Sequence, residues 1–460
     1  MQPGCNGQNH MSHPDAAVTL ADITTTRPSC PASPPRVVPS VVLRHRVYNI
    51  STQPDLRVLW RHTFRAFEGE APQSSVPLDS LCRALSKQQW PYCRGSRIRQ
   101  HNTLMLVSMP CAYTDAGSNY RGALYDDKRV LNAQHRGATP RFALDGPIRR
   151  YEVAAVGLTP YGHLADAHFY ASTAAWVLTL HELLPLTVPI LVATNSKLSL
   201  LYAALGLPAE RLHTLPPRGA AYAKQLLSLV TTPFGALEPL GAPSLRRVRH
   251  RLLSRLLPRP PPTSTARHVV VLSRNDQAPR RSLRNQPELL RALRAVLTSL
   301  NNGHVLDVFQ ANRLLRTSPR HADGRPLRDG WQLAEDGRKL TGGHTSGRRL
   351  GATQGGGGGE AAFATRLTEA AALFSQAALV TGPHGGGFLN IIYCHPGTPV
   401  VEIGYTGAQP MAYPSYYHTM ARRLGLSFWL LLGSGGYDRP ITAPVTQVTE
   451  LVRALLGGAG

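Results

Sequence analysis

ALVTGPHGGGFLNIIYCHPGTPVVEIGY, residues 378–405, reads as strand, glycine turn, helix and strand. Residues 378–381 are a short apolar run that ends at Gly382. Gly385, Gly386 and Gly387 then open an apolar helix through Phe388, Leu389, Ile391 and Ile392. Pro396 and Gly397 punctuate, and residues 399–403 are β-prone again. A glycine turn feeding a helix leaves several backbone N–H groups without partners, pointing forward. With no Cβ in the way, a diphosphate can approach these donors, and the helix dipole favours its charge. The plain alternative is a glycine-loosened connection inside an α/β core.

Spacing narrows the choice. No Gly-Lys-Ser/Thr follows, so the turn is not a Walker A loop. Gly382, Gly385 and Gly387 do not space as G-x-G-x-x-G, so it is not a good dinucleotide fingerprint. The segment instead resembles the signature of glycosyltransferase family 61: a G-x-H-G-A-x-L-x-N turn, a Pro-Gly pair and a Val-Val-Glu-Ile-type strand. The residues that carry the resemblance are Gly382, His384, Gly385, Gly386, Leu389, Asn390, Pro396, Gly397, Val400, Val401, Glu402 and Ile403. Gly386 stands where the family commonly has Ala.

The chain has 460 residues, enough for two ordinary domains, and 42 % of them are hydrophobic. No apolar run reaches the roughly 20 residues that span a bilayer. Residues 1–39 are polar and rich in Pro, Ser and Thr, and read as a disordered tail. They show no basic-plus-apolar leader. That fits a cytosolic protein or a sequence that lacks its true start, with any membrane association then coming from a missing anchor. The 6 cysteines include no C-x-x-C pair, and a Cys82–Cys93 bridge is conceivable. Formal net charge is +23. Arginine dominates it and is dispersed, which reads as a general composition bias rather than a dedicated nucleic-acid patch. The densest cluster is Arg246, Arg247, Arg249, Arg251 and Arg255, interleaved with Leu245, Val248, Leu252 and Leu256. This is helical spacing with one buried face, and the arginines are expected on a solvated surface.

Along the chain, residues 36–149 hold short β-like pieces whose pairing the sequence leaves open. From residue 161 helix and strand alternate, as in β/α units with a parallel sheet. Residues 258–266 are a proline-rich linker. The second half opens with the β-prone run RHVVVLS, residues 267–273, followed by an amphipathic helix over 285–300. Asn285 and Glu288 fit its N-cap and a reciprocal acid. Residues 316–359 lack periodicity, end in five glycines and read as a disordered insertion. The expected fold is therefore α/β, with one domain over 40–257 and one over 267–460; the resemblance implies that the first is the acceptor side and the second binds the nucleotide sugar. The pattern suggests the GT-B arrangement, two Rossmann-like domains facing a cleft, with ligands at the carboxyl ends of the strands.

Arg274 follows directly on the strand that ends at Ser273, where a guanidinium can fork onto phosphate oxygens. The family resemblance implies a second arginine shortly after, Arg281 or its neighbour Arg280. It also implies that His384, Gly385, Gly386 and Gly387 hold the donor diphosphate. Glu402 interrupts an apolar strand, and a buried carboxylate needs a partner; the expectation is the donor ribose. His163 and Asp166 sit at the start of a helix and share its face, so the pair can supply a general base. The family has a similar His and acid, usually one residue further apart. No D-x-D occurs anywhere in the chain, which fits a metal-independent site with Arg274 and the helix N-terminus neutralising the leaving group.

The resemblance implies a nucleotide-sugar-dependent, inverting hexosyl- or pentosyltransferase of the Golgi or endoplasmic reticulum lumen. Its donor would be a UDP-sugar, and its acceptor a glycan or glycoprotein, cell-wall polysaccharide included. No further cofactor and no dedicated nucleic acid are expected. Two alternatives stay open: a non-catalytic basic protein that binds nucleic acid or anionic glycan, and a degenerate transferase that binds UDP without turnover.

Overall fold

A computed structural model describes residues 18–24, 30, 57–65, 101–116, 122–126, 130–131, 147–159, 169–193, 196–216, 219–232, 242–257, 266–274, 280–310, 313–316, 357–405 and 414–457. The N-terminal half runs through α1 (Leu20–Thr24), β1 (Arg57–Arg65), β2 (His101–Asp115), β3 (Leu124–Tyr125), β4 (Val130–Leu131) and β5 (Ile148–Val156). A π turn (Phe169–Thr173) leads into α2 (Ala174–Leu183). Then come β6 (Ile190–Ala193), α3 (Ser196–Ala204), β7 (Leu212–Leu215), β8 (Ala220–Thr232) and α4 (Ala242–Leu256). The C-terminal half begins with β9 (His268–Ser273), α5 (Gln286–Leu300), β10 (Val305–Gln310), β11 (Arg313–Arg316), α6 (Gly357–Ser375) and β12 (Ala377–Pro383). A 3-10 helix (Gly386–Tyr393), β13 (Pro399–Tyr405), α7 (Pro414–Leu424), β14 (Ser427–Gly436), β15 (Arg439–Thr442) and α8 (Val445–Gly457) complete it.

Two sheets rich in parallel strands result. In the first, β8, β5, β6 and β7 run parallel, while β2 pairs antiparallel with β8, β1 and β3. The stretch whose strands could not be paired from sequence thus builds half of this sheet. Its register is long-range, from Thr103 opposite Thr232 to Asp115 opposite Ala220. The second sheet has the order β11-β10-β9-β12-β13-β14-β15, parallel from β10 to β14 with an antiparallel strand at each edge. From β9 the chain first crosses to β10 on one side and later returns to β12 on the other. The strand order therefore reverses between β9 and β12, where α/β sheets open a crevice at their carboxyl ends.

The inner faces of both sheets share one core. Ile190 and Leu227 of the first sheet and Val270, Val380 and Val400 of the second belong to it. So do Trp176 of α2, Leu201 of α3, Leu252 of α4, Phe374 of α6 and Phe388 of the 3-10 helix. α5 and α8 cover the outer face of the second sheet through Leu289, Leu293, Val448 and Val452. Burying side chains of this kind contributes about 1.5–3 kcal/mol each.

Four expectations change. The tail, read as disordered, carries α1. Its first turn is closed reciprocally: the Thr19 N–H donates to Asp22 Oδ2 (2.8 Å) and the Asp22 N–H to Thr19 Oγ1 (3.2 Å). Ile23 is fully buried in the shared core, and Cys30 is bonded to Cys111 rather than leaving the tail free. The Cys82–Cys93 bridge and most of the tail, of the linker and of the insertion lie outside the described residues, and the last glycines of the insertion, Gly357 to Gly359, open α6. Asn285 does not cap α5 with its side chain. It instead clamps Ala443, donating from Nδ2 to the carbonyl (3.0 Å) and accepting the N–H at Oδ1 (2.8 Å). The helix after the glycine turn is 3-10 rather than α.

The fourth change concerns the basic helix. α4 lies between the two halves; Arg247 and Arg249 are turned onto the protein, while Arg246 and Arg255 stay exposed as the spacing predicts. Arg249 donates from Nη1 to the carbonyls of Cys394 (3.3 Å) and Leu424 (3.1 Å), and Arg246 donates to that of Arg423 (3.3 Å). Arg247 pairs with Glu182 of α2, and Arg251 sits 3.8 Å from the other oxygen of the same carboxylate. Burial holds the Arg249 guanidinium below the usual arginine range. Arg249→Met keeps the aliphatic stem but strips both carbonyls of their donor. We expect it to lower unfolding stability by about 1–3 kcal/mol in urea titrations. A change within error would show that the bridge carries no stability.

Candidate functional site

The switch point brings the end of β9 beside the end of β12. Arg274, the first residue past β9, lies directly on the glycine turn: a Cβ built on Gly385 would stand 2.0 Å from Arg274 Nη1. Gly385 is backbone-extended, so this close approach, not its torsion, requires glycine there. Gly386 is exposed and Gly387 half-exposed, so the open end of the 3-10 helix faces solvent. Its first N–H groups have no intrahelical partner. The turn itself is held from behind. The His384 N–H donates to the Ile403 carbonyl (3.0 Å), the Phe388 N–H to that of Gly385 (3.1 Å), and Asn390 Nδ2 to that of Gly387 (2.9 Å). Asn390 thus holds the turn itself.

Arg281 comes to the same edge by a different route. Residues 281–284 run beside β15: the Arg281 N–H donates to the Arg439 carbonyl (3.0 Å) and the Ile441 N–H to that of Ser282 (2.7 Å). Arg281 adopts a left-handed backbone (φ 58°) and stacks its guanidinium over the Tyr437 ring at 4.3 Å. Arg280 instead turns out to an exposed ion pair with Asp438 (3.2 Å). The structure thereby separates the two arginines that the sequence left open. Burial, and then the charge of Arg281, hold Arg274 below its ordinary range. Among the described residues no carboxylate forms an ion pair with either guanidinium. Two cations crowded together with no ion-paired carboxylate among the described residues make an anion-seeking corner.

His384 lies at the floor of this corner, with the Tyr417 ring 5.4 Å and the Tyr405 ring 6.4 Å from its own. Its Nδ1 is bonded to Glu402 Oε1. Glu402 is completely buried, and its Oε2 has no hydrogen-bond partner among the described residues. Burial pushes the Glu402 carboxyl above its ordinary value, and His384 pulls it back in part. The residue expected at the ribose therefore stands behind His384, where it reaches the imidazole rather than the open edge. Strand pairing explains this: Gly382 is opposite Glu402 and Pro383 opposite Ile403, so β13 backs the turn.

His163 and Asp166 lie outside the described residues. The chain on either side of them is described. Thr159 Oγ1 and Thr173 Oγ1 are 2.6 Å apart, and the Tyr170 hydroxyl is 2.9 Å from that of Tyr393, the last residue of the 3-10 helix. Tyr405, Tyr417 and Tyr437 join the site although sequence reasoning passed over them. Tyr405 closes the very segment that was singled out, yet nothing local marks its ring as facing His384. Comparison with protein-family models finds none that matches the chain, and comparison with curated proteins finds no matching relative.

Proposed function

We propose that the protein is a GT-B glycosyltransferase of the family 61 kind, transferring a sugar from a UDP-sugar to a glycan or glycoprotein acceptor with inversion. One observation carries this reading: Arg274, unpaired with any described carboxylate, lies on the open glycine end of the 3-10 helix at the switch point, with the charge of Arg281 close beside it. That is where an α/β sheet takes a nucleotide, and where paired guanidinia and backbone donors suit a diphosphate.

In this reading the leaving diphosphate lies against Gly386 and Gly387, with Arg274 and Arg281 neutralising the charge that develops as the anomeric C–O bond breaks. The acceptor enters from the N-terminal side. Its hydroxyl loses a proton to His163 or Asp166 and attacks the anomeric carbon from the face opposite UDP. The Cys30–Cys111 bridge supports a lumenal setting, since disulfides persist in oxidising compartments. The reading as a basic nucleic-acid binder is favoured less, because Arg247 and Arg249 of the densest arginine cluster are engaged within the fold. Calorimetric titration with UDP tests the proposal. We expect one saturable site from which UDP-sugars compete. Absence of binding up to millimolar UDP would end it.

A further inference from the structure

The Glu402–His384 pair does more than brace a loop. Glu402 has no exposed surface, whereas about 10 % of the His384 side chain remains accessible. Nδ1 is taken by Glu402. Nε2 has no hydrogen-bond partner among the described residues and is not one of the sealed ring nitrogens, as both nitrogens of His418 and Nε2 of His395 are. The accessible edge of the ring is therefore Nε2, in the residue next to the glycine that Arg274 covers.

We propose that this pair makes diphosphate capture a one-proton event, with Nε2 of His384 donating to the ligand only when the pair holds two protons. This rests on the nucleotide-sugar reading and deepens it. Proton counting explains the effect. With two protons, one is shared between Nδ1 and Oε1 and the other sits on Nε2. The pair is then neutral whichever partner holds the shared proton, and Nε2 faces the ligand as a donor. With one proton, that proton stays between the partners. Nε2 then presents a lone pair, and the pair carries a negative charge at the floor of an anion site. A bound diphosphate repels the second state and selects the first, taking the missing proton from solvent. Glu402 is thus a positioning residue that acts through His384.

Five elements bring charged and polar groups to this corner. From the end of β9 comes Arg274, from the strand-like segment beside β15 Arg281, from β13 Tyr405, from α7 Tyr417, and from the β14–β15 turn Tyr437 and Asp438. A diphosphate held by the two guanidinia brings its own negative charge beside the pair, which the one-proton state repels and the neutral two-proton state does not. Uptake therefore coincides with binding.

The test is UDP calorimetry across pH, in buffers of differing ionisation heat, on the parent and on Glu402→Gln. A glutamine side chain keeps the shape and can donate its amide to Nδ1, which leaves Nε2 protonated without any titration. For the parent we expect affinity to fall about tenfold per pH unit on the alkaline side, with close to one proton taken up per UDP beyond UDP's own ionisation. For Glu402→Gln we expect that slope and that uptake to vanish. A purely bracing role would shift affinity equally at every pH, and identical slopes in the two proteins would overturn the inference. If the variant does not fold, the proton count in the parent still decides: an uptake of zero overturns it. Failure of UDP to bind at any pH would remove the nucleotide reading as well, whereas tight but pH-independent binding to the parent would remove this inference alone.

Discussion

Arg274→Ala is expected to weaken UDP binding by about ten- to a hundredfold and to leave the protein as stable as before, or slightly more so. The two halves of this expectation come from the same geometry. A charge-assisted hydrogen bond lost from a binding site costs about 1.5–3 kcal/mol, which is the stated range in affinity. In the empty protein, however, the guanidinium is partly buried beside Arg281 and has no described carboxylate partner, so it is held against its own desolvation. Removing it relieves like-charge repulsion and costs little packing. Arg274→Lys should recover part of the loss, because an ammonium keeps the charge but cannot fork onto two oxygens. The measurements are UDP calorimetry and the urea midpoint for each variant. A large stability loss with unaltered affinity would make Arg274 a structural residue and detach the site from phosphate.

How far sequence alone reaches is seen residue by residue. The segment 378–405 was legible because its signals are local: a β-prone run, a glycine turn, an apolar helix and a second β-prone run. Arg274 was legible because it abuts a strand end. α5 was legible as well, since Leu289, Leu293, Val296 and Leu297 recur at helical spacing and are all buried. What could not be read is whatever depends on a distant partner. The helical spacing of α4 was visible, but Arg247 and Arg249 look solvated until Cys394, Leu424 and Glu182 are brought alongside. Asn285 has the chemistry of a cap, yet the Ala443 backbone captures its amide. Glu402 was recognised as a carboxylate needing a partner; only the pairing of β12 with β13 reveals that the partner is His384. Residues 18–24 within the tail were misjudged because composition averages over a few apolar residues, and Val18 and Ile23 suffice to dock a short helix.

Gly382→Ala is expected to destabilise the protein by about 3 kcal/mol or more and to abolish measurable UDP binding. Unlike Gly385, this residue has a backbone that L-residues rarely adopt, φ +150°. Holding a non-glycine residue in such a region costs about 1–3 kcal/mol. An added Cβ would also stand 2.6 Å from Leu272 Cβ, 2.8 Å from the Leu272 carbonyl oxygen and 3.0 Å from its nitrogen. Two of these three atoms are backbone, so no rotamer change clears the overlap. β9 cannot easily give way either. It is the central partner of both β10 and β12, with Val270 opposite Asp307 on one side and Val380 on the other. Overpacking of this kind adds about 1–3 kcal/mol. The consequence for function follows from position. Leu272 lies two residues before Arg274, and Gly382 two before His384, so any separation of the strands displaces the guanidinium from the turn it covers. Urea unfolding and UDP titration of Gly382→Ala measure the two effects together. A variant within about 1 kcal/mol of the parent that still binds UDP would mean that β9 and β12 approach less closely than described, and that Arg274 does not depend on their contact for its place on Gly385.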